Sequence, residues 1–261
     1  MKEEITTKED KVKEDENKKG KEEKGGGKTS KIRLSATSLR QFIDCPRCFW
    51  ISKKLKIDLG GIFPSVTRGI DVKLKEYFDY CRERKTAPDF LKDNIVDVSL
   101  FPDMDKMKKM RHWASGLSYK LNEDCVIIGA FDDLIMEKNL YTPFDFKSKG
   151  GPATLETSTY NQFQLDLYSF LLQQNGYELS GNGYLGVFYP SVVETLKDVK
   201  NTVNMKMKVD LLKLKVHPET ILKIAQAAFD CLNGPIPDSF EKCNVCNYIK
   251  KTKEALQEKM I

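Results

Sequence analysis

Two C-x-x-C pairs, Cys45/Cys48 towards one end and Cys243/Cys246 towards the other, restrict this chain more than any other feature. Thiolates two residues apart suit a metal, and collecting four of them from segments nearly two hundred residues apart forces the chain to close on itself. Seven cysteines make an odd count, and the N-terminus is charged rather than apolar, so metal binding is expected ahead of a disulfide framework. Four thiolates describe a tetrahedral Zn²⁺ site and a [4Fe–4S] cluster equally well. Either would be structural, stabilising what lies between the pairs. The plainer alternative, four unligated buried cysteines, is weakened by the polar, turn-like context of each pair. Cys81, Cys125 and Cys231 stand singly in periodic segments and are expected in the core.

No run of eighteen apolar residues occurs, so no membrane partner is expected, and the charged start of the chain leads to the expectation of a cytoplasmic protein. A hydrophobic content of 40% in 261 residues suffices for one substantial core, whereas a net charge of +5 does not identify a partner. Residues 1–31 hold ten lysines and nine acidic residues with almost nothing to bury, and are expected as a disordered charged tail. The folded domain is expected over 32–250, with 251–261 a C-terminal tail.

Ser35-Ala-Thr-Ser38 is a helix cap signal. Helical periodicity follows over 68–80, with Ile70, Leu74, Tyr77 and Phe78, and again from Met104 through Met107 and Met110 to Leu117. Two strands, 125–136 and 140–147, are separated by a few polar residues and read as an antiparallel hairpin. A helix over 158–174 ends at Asn175-Gly176, strands follow at 184–189 and 205–211, and Pro218 starts a last helix to Leu232. The fold class is α/β.

With Lys138-Asn139 as the turn, Glu137 pairs with Leu140, and counting outward sets Asp132 opposite Asp145 and Ala130 opposite Lys147. Like charges opposed at about 5 Å destabilise an antiparallel pair unless a cation lies between them. Hard oxygen ligands suit Mg²⁺ or Mn²⁺, and carboxylates beside a lysine are the equipment of phosphodiester hydrolysis. A three-residue turn would instead bring Asp133 to the face of Asp145. An exposed hairpin with scattered charges is the plainer alternative.

Gly129-Ala-Phe-Asp132, Asp145-Phe-Lys147 and Gln164-Leu-Asp-Leu-Tyr168 resemble, in order and spacing, the G-x-x-D, D-x-K and Q-x-x-x-Y motifs of RecB-like nucleases in the PD-(D/E)XK superfamily. The resemblance implies a restriction-endonuclease-like core, a central mixed sheet flanked by helices, and metal-dependent DNA hydrolysis. It favours Asp132 over Asp133. It implies Asp132, Asp145 and the Phe146 carbonyl as ligands of Mg²⁺ or Mn²⁺, Lys147 as an aid to hydrolysis, and Gln164 with Tyr168 as residues that position DNA. The implied partner is DNA that is single-stranded or presents ends, in the company of a helicase or a recombination or repair complex.

Family members also carry a metal-binding histidine or glutamate on the helix before the hairpin, often as G-x-x-x-H. Here Gly69 leads to Lys73, and Asp71 is the replacement ligand expected; His112 and His217 are expected to be structural or surface residues. The segment from Ser38 to Trp50 resembles the one preceding the nuclease fold in iron–sulfur members, CRISPR-adaptation nucleases among them. That implies a [4Fe–4S] cluster on Cys45, Cys48, Cys243 and Cys246, with Zn²⁺ as the alternative; those members divide their cysteines one and three, this chain two and two. The missing histidine keeps an inactive DNA-binding module and a protein scaffold open as alternatives.

Overall fold

The computed structural model describes residues 31–57, 65–193 and 205–259. The disordered tail expected at 1–31 lies, apart from Lys31, outside the described residues. In chain order the elements are β1 (Ile32–Leu34), α1 (Ala36–Asp44), α2 (Pro46–Lys54), α3 (Ser65–Glu83), α4 (Asp89–Lys92), β2 (Val98–Leu100), α5 (Met104–Arg111), β3 (Ser118–Lys120) and β4 (Cys125–Ile128). They continue with β5 (Asp133–Glu137), β6 (Leu140–Ser148), α6 (Leu155–Gln174), β7 (Asn182–Val193), β8 (Met205–Lys215), α7 (Ile221–Asn233) and α8 (Asn244–Lys259). No described helix is long and apolar enough to cross a membrane.

A five-stranded sheet in the order β2-β5-β6-β7-β8 forms the centre, with β6 and β7 parallel and every other neighbour antiparallel. Its β5–β6 hairpin turns on Lys138 and Asn139, both left-handed (φ 52° and 64°), and pairs Glu137 with Leu140. Two residues with positive φ match the right-handed twist of the flanking strands. The three-residue turn is thereby excluded, and with it the shift that would exchange Asp132 for Asp133.

Side chains alternate along β6, so Phe144 and Phe146 face one way while Asp145 and Lys147 face the other. The phenylalanines pack with Ile135, Tyr184 and Phe188 against Phe78 and Cys81 of α3. On the opposite face, Leu165 of α6 packs on Leu185 and Val216. Helices thus cover both faces of a mixed sheet. A larger core joins α6 to α1, α7 and the small mixed sheet β1-β4-β3 through Leu39, Phe49, Ile127, Leu167, Leu171 and Ala225. Cys81 and Cys125 are buried, as expected, and Cys231 packs at the edge of that larger core.

Several expectations are corrected. The stretch 125–136 is not one strand: β4 belongs to the small sheet and β5 to the large one, with a break between. Gly129 and Phe131 there donate to the Leu117 and Met110 carbonyls, which diverts the backbone from the ladder, and the ladder stops at Asp133 opposite Phe144. Ala130 therefore does not pair with Lys147. Helix α5 ends at Arg111, where His112 turns extended, so Leu117 lies beyond it. The region 251–261 is no simple tail, since α8 runs through it to Lys259.

Asp133, fully buried, anchors β5 to two helices. Arg82 of α3 contacts its Oδ1, Arg111 of α5 donates to its Oδ2 at 2.5 Å, and Asp79 accepts from both guanidiniums at 2.5 and 2.7 Å. Arg111 Nε also donates to the Asp132 carbonyl at 2.9 Å, fixing the backbone of the neighbouring acid. Arg111 is therefore a structural residue. Asp133→Ala would leave two guanidiniums without their shared buried partner and is expected to cost about 3–5 kcal/mol in urea unfolding. A loss below about 1 kcal/mol, the scale of an exposed pair, would contradict this role.

Candidate active site and cysteine metal centre

Asp132 sits one residue outside the β5–β6 ladder, and its side chain takes over where the backbone leaves off: Oδ2 accepts from the Phe146 amide at 3.0 Å. That bond turns Asp132 towards Asp145, the next inward residue along β6. Asp145 is fully buried. Lys147 Nζ contacts Asp145 Oδ2 as an ion pair, the one group set against that buried oxygen among the described residues.

Helix α6 supplies the other half. Thr154 caps it through a reciprocal bond with Thr157, which fixes where its turns begin. Gln164 and Tyr168, one turn apart, then face the carboxylates. Gln164 Nε2 donates to Asp145 Oδ1 at 2.7 Å and to the Tyr168 hydroxyl at 2.6 Å, while Gln164 Oε1 accepts from Lys147 Nζ at 3.0 Å. The Tyr168 hydroxyl donates to the Ala130 carbonyl at 2.6 Å, and its ring stacks on Phe131 at 4.4 Å. Close approach of α6 explains Gly129: a Cβ there would stand 2.5 Å from Leu171 Cδ1. Asp132, Asp145, Lys147, Gln164 and Tyr168 thus form one connected network.

Asp71 lies beside it. Lys75, one turn later on α3, places its ammonium 2.8 Å from Asp71 Oδ2 and 2.9 Å from Asp132 Oδ1, linking the two acids. Lys73, at the position where the related motif has histidine, points to solvent and pairs with Glu76. Sequence reasoning missed Lys75, although its i, i+4 spacing from Asp71 was a readable signal. It also missed Asp79 and Arg82, whose role depends on partners far along the chain. His112 and His217 are exposed, as expected.

Burial pushes the Asp145 carboxyl up to about 8, and the neighbouring Asp132 charge adds to it against the pull of Lys147. Burial also opposes ionisation of Asp132, but Lys75 and Lys147 outweigh it and hold that carboxyl below the usual range. For Tyr168, burial and then the charges of both aspartates push the phenol well up, so it stays a neutral donor. These oxygens suit a hard divalent cation: Mg²⁺ is commonly held by one or two carboxylates, with water and substrate completing its shell, and Asp145 Oδ2 is buried with only the Lys147 ammonium against it among the described residues. Among the described residues, no third imidazole or carboxylate joins Asp132 and Asp145 in a tight ligand group.

The second centre joins the chain's ends. Cys45 breaks α1 from α2 with an extended backbone (φ −165°, ψ 107°), Pro46 starts the next helix, and Cys48 lies in its first turn. Cys243 immediately precedes α8, whose first turn carries Cys246. Both pairs therefore sit at helix N-termini, where the partial positive charge favours thiolates. The four Sγ atoms lie within 4.8 Å of one another, with Cys48 3.5 Å from Cys243 and 3.6 Å from Cys246, and Cys45 3.9 Å from Cys246. The quartet can hold a metal. Burial resists ionisation of Cys45, yet backbone hydrogen bonds at Cys48 and Phe240 and the neighbouring thiols bring it down to about 7. Burial pushes Cys246 up to about 11 and Cys48 further still.

A cleft of about 790 Å³ extends from the cysteine quartet to Gln164, lined also by Arg40, Tyr160, Phe240 and Lys242. Arg40 stacks over the Tyr160 ring at 4.8 Å, and Tyr160 and Phe240 are both exposed.

No family model matches the chain, and no curated protein matches it. Among solved structures the chain is similar to one described as "Crystal structure of SSO0001", at 15% sequence identity over 79% of this chain and 80% of that chain, with a TM-score of 0.42. A likeness that slight carries nothing about activity.

Burial and the neighbouring Asp132 charge thus raise the Asp145 carboxyl of the folded chain to about 8, against 3.8 for an ordinary aspartate. Its stabilising contribution is therefore complete below the ordinary value and is lost as pH rises through about 8. Asp132 is shifted the other way, so its contribution is lost only at pH below the ordinary carboxylate value. In EDTA, Asp145→Asn should gain stability relative to wild type as pH is raised from about 4 to about 8, measured by urea unfolding. A constant difference across that window would refute the assignment.

Proposed function

We propose that the chain is a Mg²⁺- or Mn²⁺-dependent deoxyribonuclease with a RecB-like, PD-(D/E)XK core, hydrolysing phosphodiester bonds in DNA. The observation that carries this reading is the convergence of Asp132, Asp145, Lys147, Gln164 and Tyr168 in one network on one face of the central sheet. Asp132, Asp145 and the Phe146 carbonyl would hold the divalent ion, which supplies an activated water and offsets charge on the phosphate.

The chain's own residues do the positioning. Lys147, fixed between Asp145 and Gln164, presents an ammonium that burial would disfavour but that Asp132, and Asp145 once ionised beside a divalent ion, favour, ready for a phosphate oxygen or the attacking water. Gln164 locks Asp145 and Lys147 in register. Tyr168 holds Gln164 through its hydroxyl and ties the pair to the backbone at Ala130. The cleft beside Gln164 offers the exposed rings of Tyr160 and Phe240 and the cations Arg40 and Lys242, a combination that suits stacked bases and phosphates of a single strand.

For the cysteine quartet, sulfur spacing favours a single ion. A tetrahedral Zn²⁺ with Zn–S of about 2.3 Å sets its sulfurs about 3.8 Å apart; three of the separations here are 3.5, 3.6 and 3.9 Å, and all lie within 4.8 Å. In an iron–sulfur cubane each thiolate extends from its own iron, which spreads the four sulfurs wider. We therefore assign Zn²⁺ rather than the [4Fe–4S] cluster that the resemblance implies.

Two measurements test these assignments. Incubated with single- and double-stranded DNA and Mn²⁺, the protein should cleave, while an Asp145→Ala/Lys147→Ala variant loses the activity by a hundredfold or more, on the order of what removing such groups costs. Equal cleavage by both would sink the enzymatic reading, and binding without cleavage would identify an inactive DNA-binding module. Metal analysis of anaerobically purified protein should give one zinc per chain and no absorbance band near about 400 nm, and Cys243→Ser should lower both zinc content and thermal stability. A brown, iron-loaded preparation would reverse the choice.

A further inference from the structure

Lys75 is placed unlike any other lysine of the site. Lys147 meets one carboxylate and is held by an amide, whereas the Lys75 ammonium stands between two acids from different elements, Asp71 of α3 and Asp132 beside β5. Its side chain is 25% exposed, so much of its stem is packed rather than free in solvent. Of the two Asp132 oxygens, Oδ2 is committed to the Phe146 amide, which leaves Oδ1 as the one that can face a cation, and Lys75 covers Oδ1 at 2.9 Å. An ammonium and a divalent ion brought against the same oxygen repel each other, so the two compete for it.

We propose that Lys75 is a built-in competitor for the metal, occupying Asp132 Oδ1 until a divalent ion displaces it. The proposal rests on the metal-dependent reading above and deepens it by naming the residue that sets metal affinity. Lys75 need not travel far, since Asp71 lies one turn away on its own helix and keeps the released ammonium paired. Asp71, Asp132 and Asp145 face Lys75 and Lys147, and a dication arriving at Asp132 takes over the oxygen that Lys75 covers while Asp71 retains its lysine. Asp71 is then the resting place of Lys75, a role distinct from the metal ligand expected from the sequence.

The test is Mn²⁺ binding by calorimetry in zinc-replete protein. Lys75→Met should bind Mn²⁺ at least tenfold more tightly than wild type, Lys73→Met should match wild type because Lys73 is turned to solvent, and Asp132→Asn should abolish the binding. In parallel, lysine-selective acylation of the wild-type protein should label Lys75 several times faster with Mn²⁺ than with EDTA, with Lys73 unchanged as the internal reference; this readout decides the matter if Lys75→Met fails to fold. Wild-type binding with neither tightening in Lys75→Met nor faster labelling of Lys75 would overturn the competition and leave the metal site standing. No Mn²⁺ bound by wild type or Lys75→Met would overturn both.

Discussion

Placing two carboxyl groups side by side away from water is unfavourable twice over, once for desolvation and once for repulsion, and the surroundings of Asp132 and Asp145 are arranged to offset both. The Phe146 amide, Lys75, Lys147 and Gln164 each satisfy a specific oxygen of the pair. Those groups come from α3, β6 and α6, so the acid pair can exist only where the two faces of the sheet and its broken edge meet. Behind it, the Arg82, Arg111, Asp79 and Asp133 network fixes the strand that carries Asp132, and Tyr168 fixes the segment just before it. The stability of the core and the chemistry of the site are therefore one construction.

The cysteine centre acts on the same construction from outside. It brings the start of α2 and the start of α8 together, so a metal there would close nearly the whole described chain into one loop. Two helix N-termini aimed at four thiols favour thiolate, yet burial and mutual proximity keep Cys48 and Cys246 protonated; a cation among them removes that conflict. Because the cleft beside the quartet is lined both by Cys243 and by Gln164, loss of a metal held there would disturb the cleft wall at Gln164 as well as the closure of the chain.

Much of the fold was legible locally. The periodicity of Ile70, Leu74 and Phe78 marked α3, the Ser35–Ser38 cap marked α1, and Lys138-Asn139 between two apolar runs marked the hairpin, whose register the turn left open by one residue until the structure paired Glu137 with Leu140. What was misread has a common cause. The apolar run 125–136 carries no internal sign that its first half pairs with β1 and β3 while its second half pairs with β2 and β6, because strand partners are chosen by surfaces brought in from elsewhere. The same holds for Ala130, whose carbonyl goes to Tyr168 rather than to a neighbouring strand.

Sequence by itself determined which residues could do chemistry: the spacing of Asp145 and Lys147 on one strand face, of Gln164 and Tyr168 on one helix turn, and of each C-x-x-C pair follows from the fixed periods of the backbone. Tertiary structure alone decided how those sets are joined and what lies between them. That Lys75 bridges Asp71 and Asp132, that Arg111 is sunk against Asp133, and that four sulfurs from opposite ends stand within one ion's reach depend on distances across the core. Local periodicity carries no information about such distances, which are set only when the faces of sheet and helices pack.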